Sequence, residues 1–446
     1  MGLYDSYDDT TRANEHVPPL NEPFPYGELP IRGVNVGGWL LIEPFITPSF
    51  FKKYAASRGV VDEYTLSKEL GATDAKQTIE THYRDFVNED TFKEIRDAGL
   101  DHVRIPFGYW AIEVFDDDAF LPKVSWRYLL RAIEWARKYG LRVKLDLHSV
   151  PGGANGWNHS GRLGRMEWLN GDRGEEFGNR TLKIHTQLAT FFSQPRYKNI
   201  VTMYGLVNEP RMILLDADKV IAWTEEAYKV VRDNGYEGKI IFGDGFRGLG
   251  TWKGEFTGLD GMVLDVHQYV IFNTAQLSLT HSKKISFACK DWGNQMDASM
   301  DTSSGFGPTI VGEWGQADTD CTEYLNNVGV GSRWEGKLDV DAKAEQILSP
   351  QCSTGKNCSC TMPNGDPDNY TDEYRQFLLM FAEAQMNAFE RGWGWMYWTW
   401  DTESSPQWSY KKSIAAKIMP QKAYERDFNC DTDVPDFGVL GLAETN

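Results

Sequence analysis

A single (β/α)8 barrel of the TIM type, with long βα loops, is the fold the sequence predicts. Three observations predict it. From Ile31 onward, β-rich runs alternate with amphipathic segments of helix length, the rhythm of βα units that build a parallel sheet. Eight β-rich runs are present, and several are continuously apolar, as strands covered on both faces must be. The first run leads into Gly37-Gly38-Trp39 rather than into a G-x-G-x-x-G turn, which argues against an open, doubly wound dinucleotide sheet.

The elements follow in order. Residues 1–30 form a polar, Pro-rich lead-in, and 31–446 read as one domain. The first strand is Ile31–Gly38, followed by an insertion, Leu40–Asn88. Asn88 stands where an N-cap belongs, before a helix at Glu89–Ala98, and Gly99 sits just past its end. The second strand is His102–Gly108. Ser125 is the expected N-cap of a helix at Trp126–Tyr139, closed by Gly140. Then come strand Arg142–Ser149, helix Thr181–Phe192, strand Asn199–Glu209, helix Val220–Asp233, and strands Lys239–Gly245, Met262–Tyr269 and Thr309–Gly315. A second insertion, Ala317–Asp372, precedes helix Glu373–Arg391 and strand Gly392–Trp400. Loops this long are usually functional or disordered. The second carries four of the six cysteines, which predicts that it is stapled and ordered. The acidic run Asp116-Asp117-Asp118 reads as a solvated loop.

Composition narrows the partners. Lys and Arg number 46 against 64 Asp and Glu, a net charge of −18. Phosphate-reading surfaces need clustered cations, so nucleic acid is not an expected partner. No apolar run approaches the roughly 18 residues of a membrane span. Six cysteines without metal spacing point to disulfides. Sequons at Asn158, Asn179, Asn357 and Asn369 add to an extracellular reading. A signal or anchor segment is then expected in the precursor, so any membrane contact would run through an anchor this chain does not carry.

The chemistry is expected at the C-terminal ends of the strands, where barrel enzymes keep their active sites. Polar residues end otherwise apolar runs there: Arg104, Asp146-Leu147-His148, Asn208-Glu209-Pro210, His267-Gln268-Tyr269 and Gly312-Glu313-Trp314, with Glu43 just beyond strand 1. Glu209 and Glu313 form a pair of carboxylates at one face, the requirement of glycoside hydrolysis. One must be protonated, and burial beside a like charge is expected to raise its pKa. Arg104 is placed to keep the other ionised. Trp39, Trp110, Trp157, Trp314, Trp393, Trp395, Trp398 and Trp400 fall on or beside strand ends, where flat aromatic faces suit the C–H faces of sugars. Strand alternation assigns about half of those in Gly392–Trp400 to the core. No HxH or HExxH marks a metal site, and neither metal nor organic cofactor is expected.

The ordered set of motifs resembles fungal exo-β-1,3-glucanases of glycoside hydrolase family 5, and among them the membrane-anchored type of filamentous fungi. It comprises Arg32-Gly33-Val34-Asn35-Val36-Gly37-Gly38-Trp39-Leu40, Glu43-Pro44-Phe45-Ile46-Thr47-Pro48-Ser49, His102 to Pro106, Asp146-Leu147-His148, Asn155 to Gly161, Asn208-Glu209-Pro210, His267-Gln268-Tyr269 and Gly312-Glu313-Trp314. The resemblance implies a retaining, exo-acting β-glucosidase that releases glucose from the non-reducing end of β-1,3-glucan. Glu209 would be the acid/base and Glu313 the nucleophile. Arg104, His148, Asn208, His267 and Tyr269 would line the −1 subsite, with Glu43 on the outer hydroxyls and Trp398 beneath the sugar. Trp157 and Phe272 would clamp the +1 sugar, and Asn158 would also bind substrate. The resemblance also implies a Cys289–Cys430 disulfide, Cys321 joined to a later loop cysteine, and a wall-facing monomer. The alternatives are a rutinose-releasing diglycosidase, a β-1,6-glucan-active or transglycosylating wall enzyme, and an inactive glucan-binding protein.

Overall fold

The computed structural model describes residues 6–115 and 118–445. All eight expected strands are present: β1 (Ile31–Asn35), β2 (His102–Gly108), β3 (Arg142–Ser149), β4 (Val201–Gly205), β5 (Lys239–Gly243), β6 (Met262–Gln268), β7 (Thr309–Trp314) and β8 (Gly394–Tyr397). Each pairs in parallel with its neighbours, and β1 pairs with β8, so the barrel closes in chain order. Every residue of β2, β3, β7 and β8 is buried, which explains the apolar runs. Several strands stop short of their expected C-terminal ends. Left-handed backbone at Gly38, Glu209 and Gly245 turns the chain out of the ladder there and into the loops that shape the mouth.

The expected helices appear as Glu89–Asp97, Val124–Lys138, Gly174–Phe192, Ala217–Asp233 and Asp372–Phe389. Asn88 caps its helix through a reciprocal capping box with Thr91. Ser125 does not cap: Lys123 takes the N-cap position in left-handed conformation, and Ser125 is a buried residue within the first turn. The first insertion contains an unanticipated helix, α1 (Glu63–Asp85), which is largely polar and broken at Gly71, so its apolar periodicity is faint. Helices His281–Phe287 and Gly293–Met300 also lack a legible signal. Asp116 and Asp117 lie outside the described residues. Asp118 is no solvated bystander, because it accepts hydrogen bonds from Tyr109 Oη at 2.7 Å and Phe115 N at 2.9 Å.

The lead-in floors the barrel. Ala13, Val17, Leu20 and Phe24 are buried, and Arg142 at the start of β3 donates to the carbonyls of Pro18, Pro19 and Glu22. Tyr26 hydrogen-bonds Thr202 at 2.7 Å and His102 at 3.1 Å and stacks on Trp393. These partners all stand at strand starts, opposite the mouth.

Three disulfides form: Cys289–Cys430, Cys321–Cys360 and Cys352–Cys358. The last two staple the second insertion, as expected. Cys289–Cys430 spans 141 residues and restrains the unfolded chain most. The double substitution Cys289→Ser and Cys430→Ser is expected to lower the unfolding free energy by about 2–4 kcal/mol. A lower denaturant midpoint with unchanged turnover would show it; an unchanged midpoint would contradict it.

Candidate active site

Alternation along the strands builds the site. Lys144, Asp146 and His148 share one face of β3, and Asp265 and His267 share one face of β6, with Tyr269 just beyond it. All point where the strands converge. Arg104 on β2 is the hub. Its Nη1 donates to Asn35 Oδ1 at 2.8 Å and Glu313 Oε1 at 2.5 Å. Its Nη2 donates to Asn208 Oδ1 at 2.6 Å and meets Asp146 Oδ2 at 2.9 Å. Glu313 Oε2 accepts from Tyr269 Oη at 3.1 Å and lies 3.4 Å from His267 Nδ1.

A second ionic layer lies beneath. Lys144 pairs with Asp265, whose Oδ1 accepts the Gly312 amide at 2.7 Å. A side chain at Gly312 would place Cβ 2.1 Å from that oxygen, so only glycine lets the strand bearing Glu313 pass. Burial opposes the charge of Asp265, but Lys144, His267 and Arg104 outweigh it and hold this carboxyl far below its ordinary range.

Glu209 stands between Asn208 and Pro210 with φ of 46°, an uncommon conformation that aims its side chain inward. Its Oε1 is 2.6 Å from His267 Nδ1, and its Oε2 is 3.4 Å from His159 Nε2. An oxygen of Glu209, an oxygen of Glu313 and a ring nitrogen of His267 lie within 4.8 Å of one another. The two carboxylates thus face one another across the mouth of the barrel with His267 between them. Chemically the trio could ligate a divalent cation, but Arg104 and His267 already neutralise its carboxylates.

Protonation departs from the expectation in one respect. Burial does push Glu209 up, but the hydrogen bond and charge of His267, with His159 and His148 beyond, pull it down to about 2. Burial disfavours the His267 cation, yet Glu313, Asp265 and Glu209 raise it to about 10. The pair holds one proton, and it rests on the imidazole. The raised His267 therefore contributes stability that is complete below its ordinary value of 6.5 and lost as pH rises through about 10. The lowered Glu209 contributes stability present above its ordinary 4.5 and lost as pH falls through about 2. Melting temperature should decline on the alkaline side, and His267→Gln should flatten that decline. An identical alkaline decline in the variant would refute the assignment.

The other expected residues are placed as follows. His148 Nδ1 bonds Asp146 at 2.7 Å, and its ring stacks on Trp398 at 5.4 Å. The Trp398–Thr399 peptide is cis. Glu43 is buried, and burial together with Glu313 and Glu209 raises its carboxyl well above the ordinary range. Trp157 packs on Phe246 with the Arg211 guanidinium 4.9 Å from its ring, whereas Phe272 packs on Tyr269 with Arg333 5.7 Å away. The two aromatics expected to act together thus rest on separate partners. Asn158 is buried and reaches toward Asn327 of the second insertion at 3.4 Å. Burial removes Asn158 from the exposed sequons, leaving Asn179, Asn357 and Asn369. Trp39, Trp110, Trp314 and Trp395 are fully buried core. Sequence reasoning missed Lys144, Asp265 and His159. The first two share alternation with His148 and His267 and were legible from it. His159 sits in a loop and had no such signal.

Residues 68–335 match the family model described as cellulase (glycosyl hydrolase family 5). The chain is 57% identical over 442 residues to the probable glucan 1,3-beta-glucosidase D of Aspergillus terreus, covering 99% of this chain and 52% of that one. Its identity to the protein of the same name from Aspergillus fumigatus is 54%, covering 99% and 53%. The chain thus spans about half the length of these curated relatives. Among solved structures, the rutinosidase from Aspergillus niger superposes with a TM-score of 0.64 at 19% identity, over 93% of this chain and 99% of that one, a likeness of fold alone. With a closed eight-strand barrel and a family match across most of its length, the chain belongs to glycosyl hydrolase family 5.

Proposed function

We propose that 31–446 is the catalytic domain of a retaining, exo-acting β-glucosidase that removes glucose from the non-reducing end of β-1,3-glucan. The observation that carries this reading is the Glu209–His267–Glu313 cluster, two carboxylates joined through one imidazole at the mouth of the barrel, the pairing a retaining glycosidase needs. Glu313, held by Arg104 and Tyr269, attacks the anomeric carbon. Glu209 receives a proton along the 2.6 Å bond from His267 and passes it to the leaving oxygen, so that it is left ionised and His267 neutral. Glu209 then takes a proton from the water that releases glucose from Glu313 and returns it to His267, which restores the starting state. Arg104, His148, Asn208, His267 and Tyr269 surround the reacting sugar, and Trp398 lies beneath it. Glu43, whose carboxyl is pushed well above its ordinary range by burial and by Glu313 and Glu209, meets the terminal hydroxyls. Trp157, Asn158 and Phe272 receive the +1 sugar. No metal or organic cofactor enters this sequence of steps.

The names of the Aspergillus relatives support the β-1,3 linkage. The disulfides support an extracellular, wall-facing enzyme, acting as a monomer on a neutral glucan. Among the described residues no helix is long and apolar enough to cross a membrane. Initial rates on β-1,3-, β-1,4- and β-1,6-linked glucosides and on rutin test the reading. Glucose release fastest from laminari-oligosaccharides supports it. Rutinose release from rutin, faster β-1,6 cleavage, or binding without turnover would overturn it.

A further inference from the structure

The start of α1 touches two loops of the mouth at once. Asp62, its N-cap, spends one carboxylate oxygen on the Thr65 amide at 2.7 Å. The other accepts the Leu163 amide at 2.6 Å. The Tyr64 amide donates to the Gly161 carbonyl at 3.0 Å, and the Arg162 guanidinium lies 3.9 Å from the Tyr64 ring. Gly161–Leu163 lie just past Trp157, Asn158 and His159, with only Ser160 between, and His159 stands 3.4 Å from Glu209. On its other side, Glu63 Oε2 accepts the Ile42 amide at 2.7 Å, and Tyr83 Oη donates to Glu63 Oε1 at 3.3 Å. Ile42 is the residue before Glu43. Further along α1, His82 bonds the Gly38 carbonyl at 2.8 Å, and the Tyr83 carbonyl accepts from Trp39 Nε1 at 2.8 Å. Asp62 and Glu63 are 1% and 0% exposed.

Two adjacent buried carboxyls in an otherwise polar, surface-lying helix need a reason, because burying such groups is costly unless they are hydrogen-bonded. Here each is satisfied by a backbone amide of a different mouth loop. From this geometry we infer that Asp62 and Glu63 are a pair of positioning residues with divided duties: Glu63 sets Glu43 against the terminal sugar, and Asp62 sets the 157–163 loop against the +1 sugar. The inference rests on the roles proposed above for Glu43 and for the Trp157 loop. Neither residue touches substrate. Each acts through one amide, so loss of one should disturb one end of the substrate and spare the other.

Burial raises Glu63 to about 8, so near neutral pH it meets Ile42 as the uncharged acid, and Glu63→Gln is its closest mimic. The test compares 4-nitrophenyl β-glucoside, 4-nitrophenyl β-xyloside (which lacks the hydroxymethyl arm) and laminaribiose. Glu63→Ala is expected to reduce the glucoside-to-xyloside ratio of kcat/KM by about five- to tenfold, with Glu63→Gln restoring it. Asp62→Ala is expected to raise KM for laminaribiose by a similar factor while leaving the glucoside-to-xyloside ratio unchanged. Equal loss on every substrate in both variants would mean a merely structural role and would overturn the inference. Glu43→Ala is the control. If it leaves the ratio unchanged, the reading of Glu43 fails. If it lowers the ratio and Glu63→Ala does not, the positioning role alone fails. Should an alanine variant not fold, hydrogen exchange on the unaltered protein decides. The Ile42 and Leu163 amides should exchange as slowly as the buried first turn of α1, and fast exchange at either would refute the pairing.

Discussion

Glu313→Ala is expected to lower kcat on a β-glucoside by about five orders of magnitude while the barrel stays folded. The size follows from removing a nucleophile whose partners act as a unit with it. By the usual conversion this is about 7 kcal/mol of lost transition-state stabilisation. Folding should survive because Arg104 keeps Asp146, Asn35 and Asn208 as partners. The alanine also leaves room for a small external anion such as formate or azide. Such an anion attacking from the face Glu313 vacates should rescue turnover and give the α-configured product, the opposite of the natural outcome. In the unaltered enzyme, a 2-fluoroglucoside should label the peptide that contains Glu313. Label on another carboxylate, or no rescue by any anion, would remove Glu313 from the nucleophile's role.

Glu209→Gln should have the next largest effect, and its effect should depend on the leaving group. For an aglycone that needs protonation, the loss of the general acid is worth about 10²–10⁴-fold in kcat. For a dinitrophenyl glucoside, which leaves without help, the first step should proceed almost normally and deglycosylation should become limiting. Azide, which needs no general base, should then accelerate turnover and yield the β-glycosyl azide. Glutamine also removes the carboxylate that helps hold the proton on His267, so the alkaline limb of the remaining activity should move to lower pH. An equal loss for good and poor leaving groups would show that Glu209 does not transfer the proton.

Much of this architecture is legible in the sequence, for a physical reason. Strands buried on both faces leave long apolar runs, and their polar ends then stand out: Arg104, His148, His267 and Glu313 each end such a run. The same alternation contained Asp265, two residues before His267, and Lys144, two before Asp146. The unread parts are those whose logic is not periodic. Helix α1 is mostly polar and broken at Gly71, and its meaning lies in two amides contributed by distant loops. Ser125 looked like a cap because serine often is one, yet Lys123 in left-handed backbone begins that helix. The protonation of Glu209 depends on a 2.6 Å approach between the end of β4 and the face of β6, which no local pattern encodes.

The seam between β1 and β8 bears on how the chain is made. Asn35 donates to the carbonyls of Gly312, Met396 and Tyr397, and Arg32 pairs with Glu390. A ribosome delivers β1 some 360 residues before its partner, so through nearly all of synthesis β1 has an unpaired edge, exposed to wrong pairings. Closure comes in one late step, when Gly394–Tyr397 emerges and both open edges disappear together. A chain terminated just before β8 would therefore be a sheet with two sticky margins rather than a slightly shorter enzyme. Such a product is expected in aggregates or in complex with chaperones, and not in the soluble fraction.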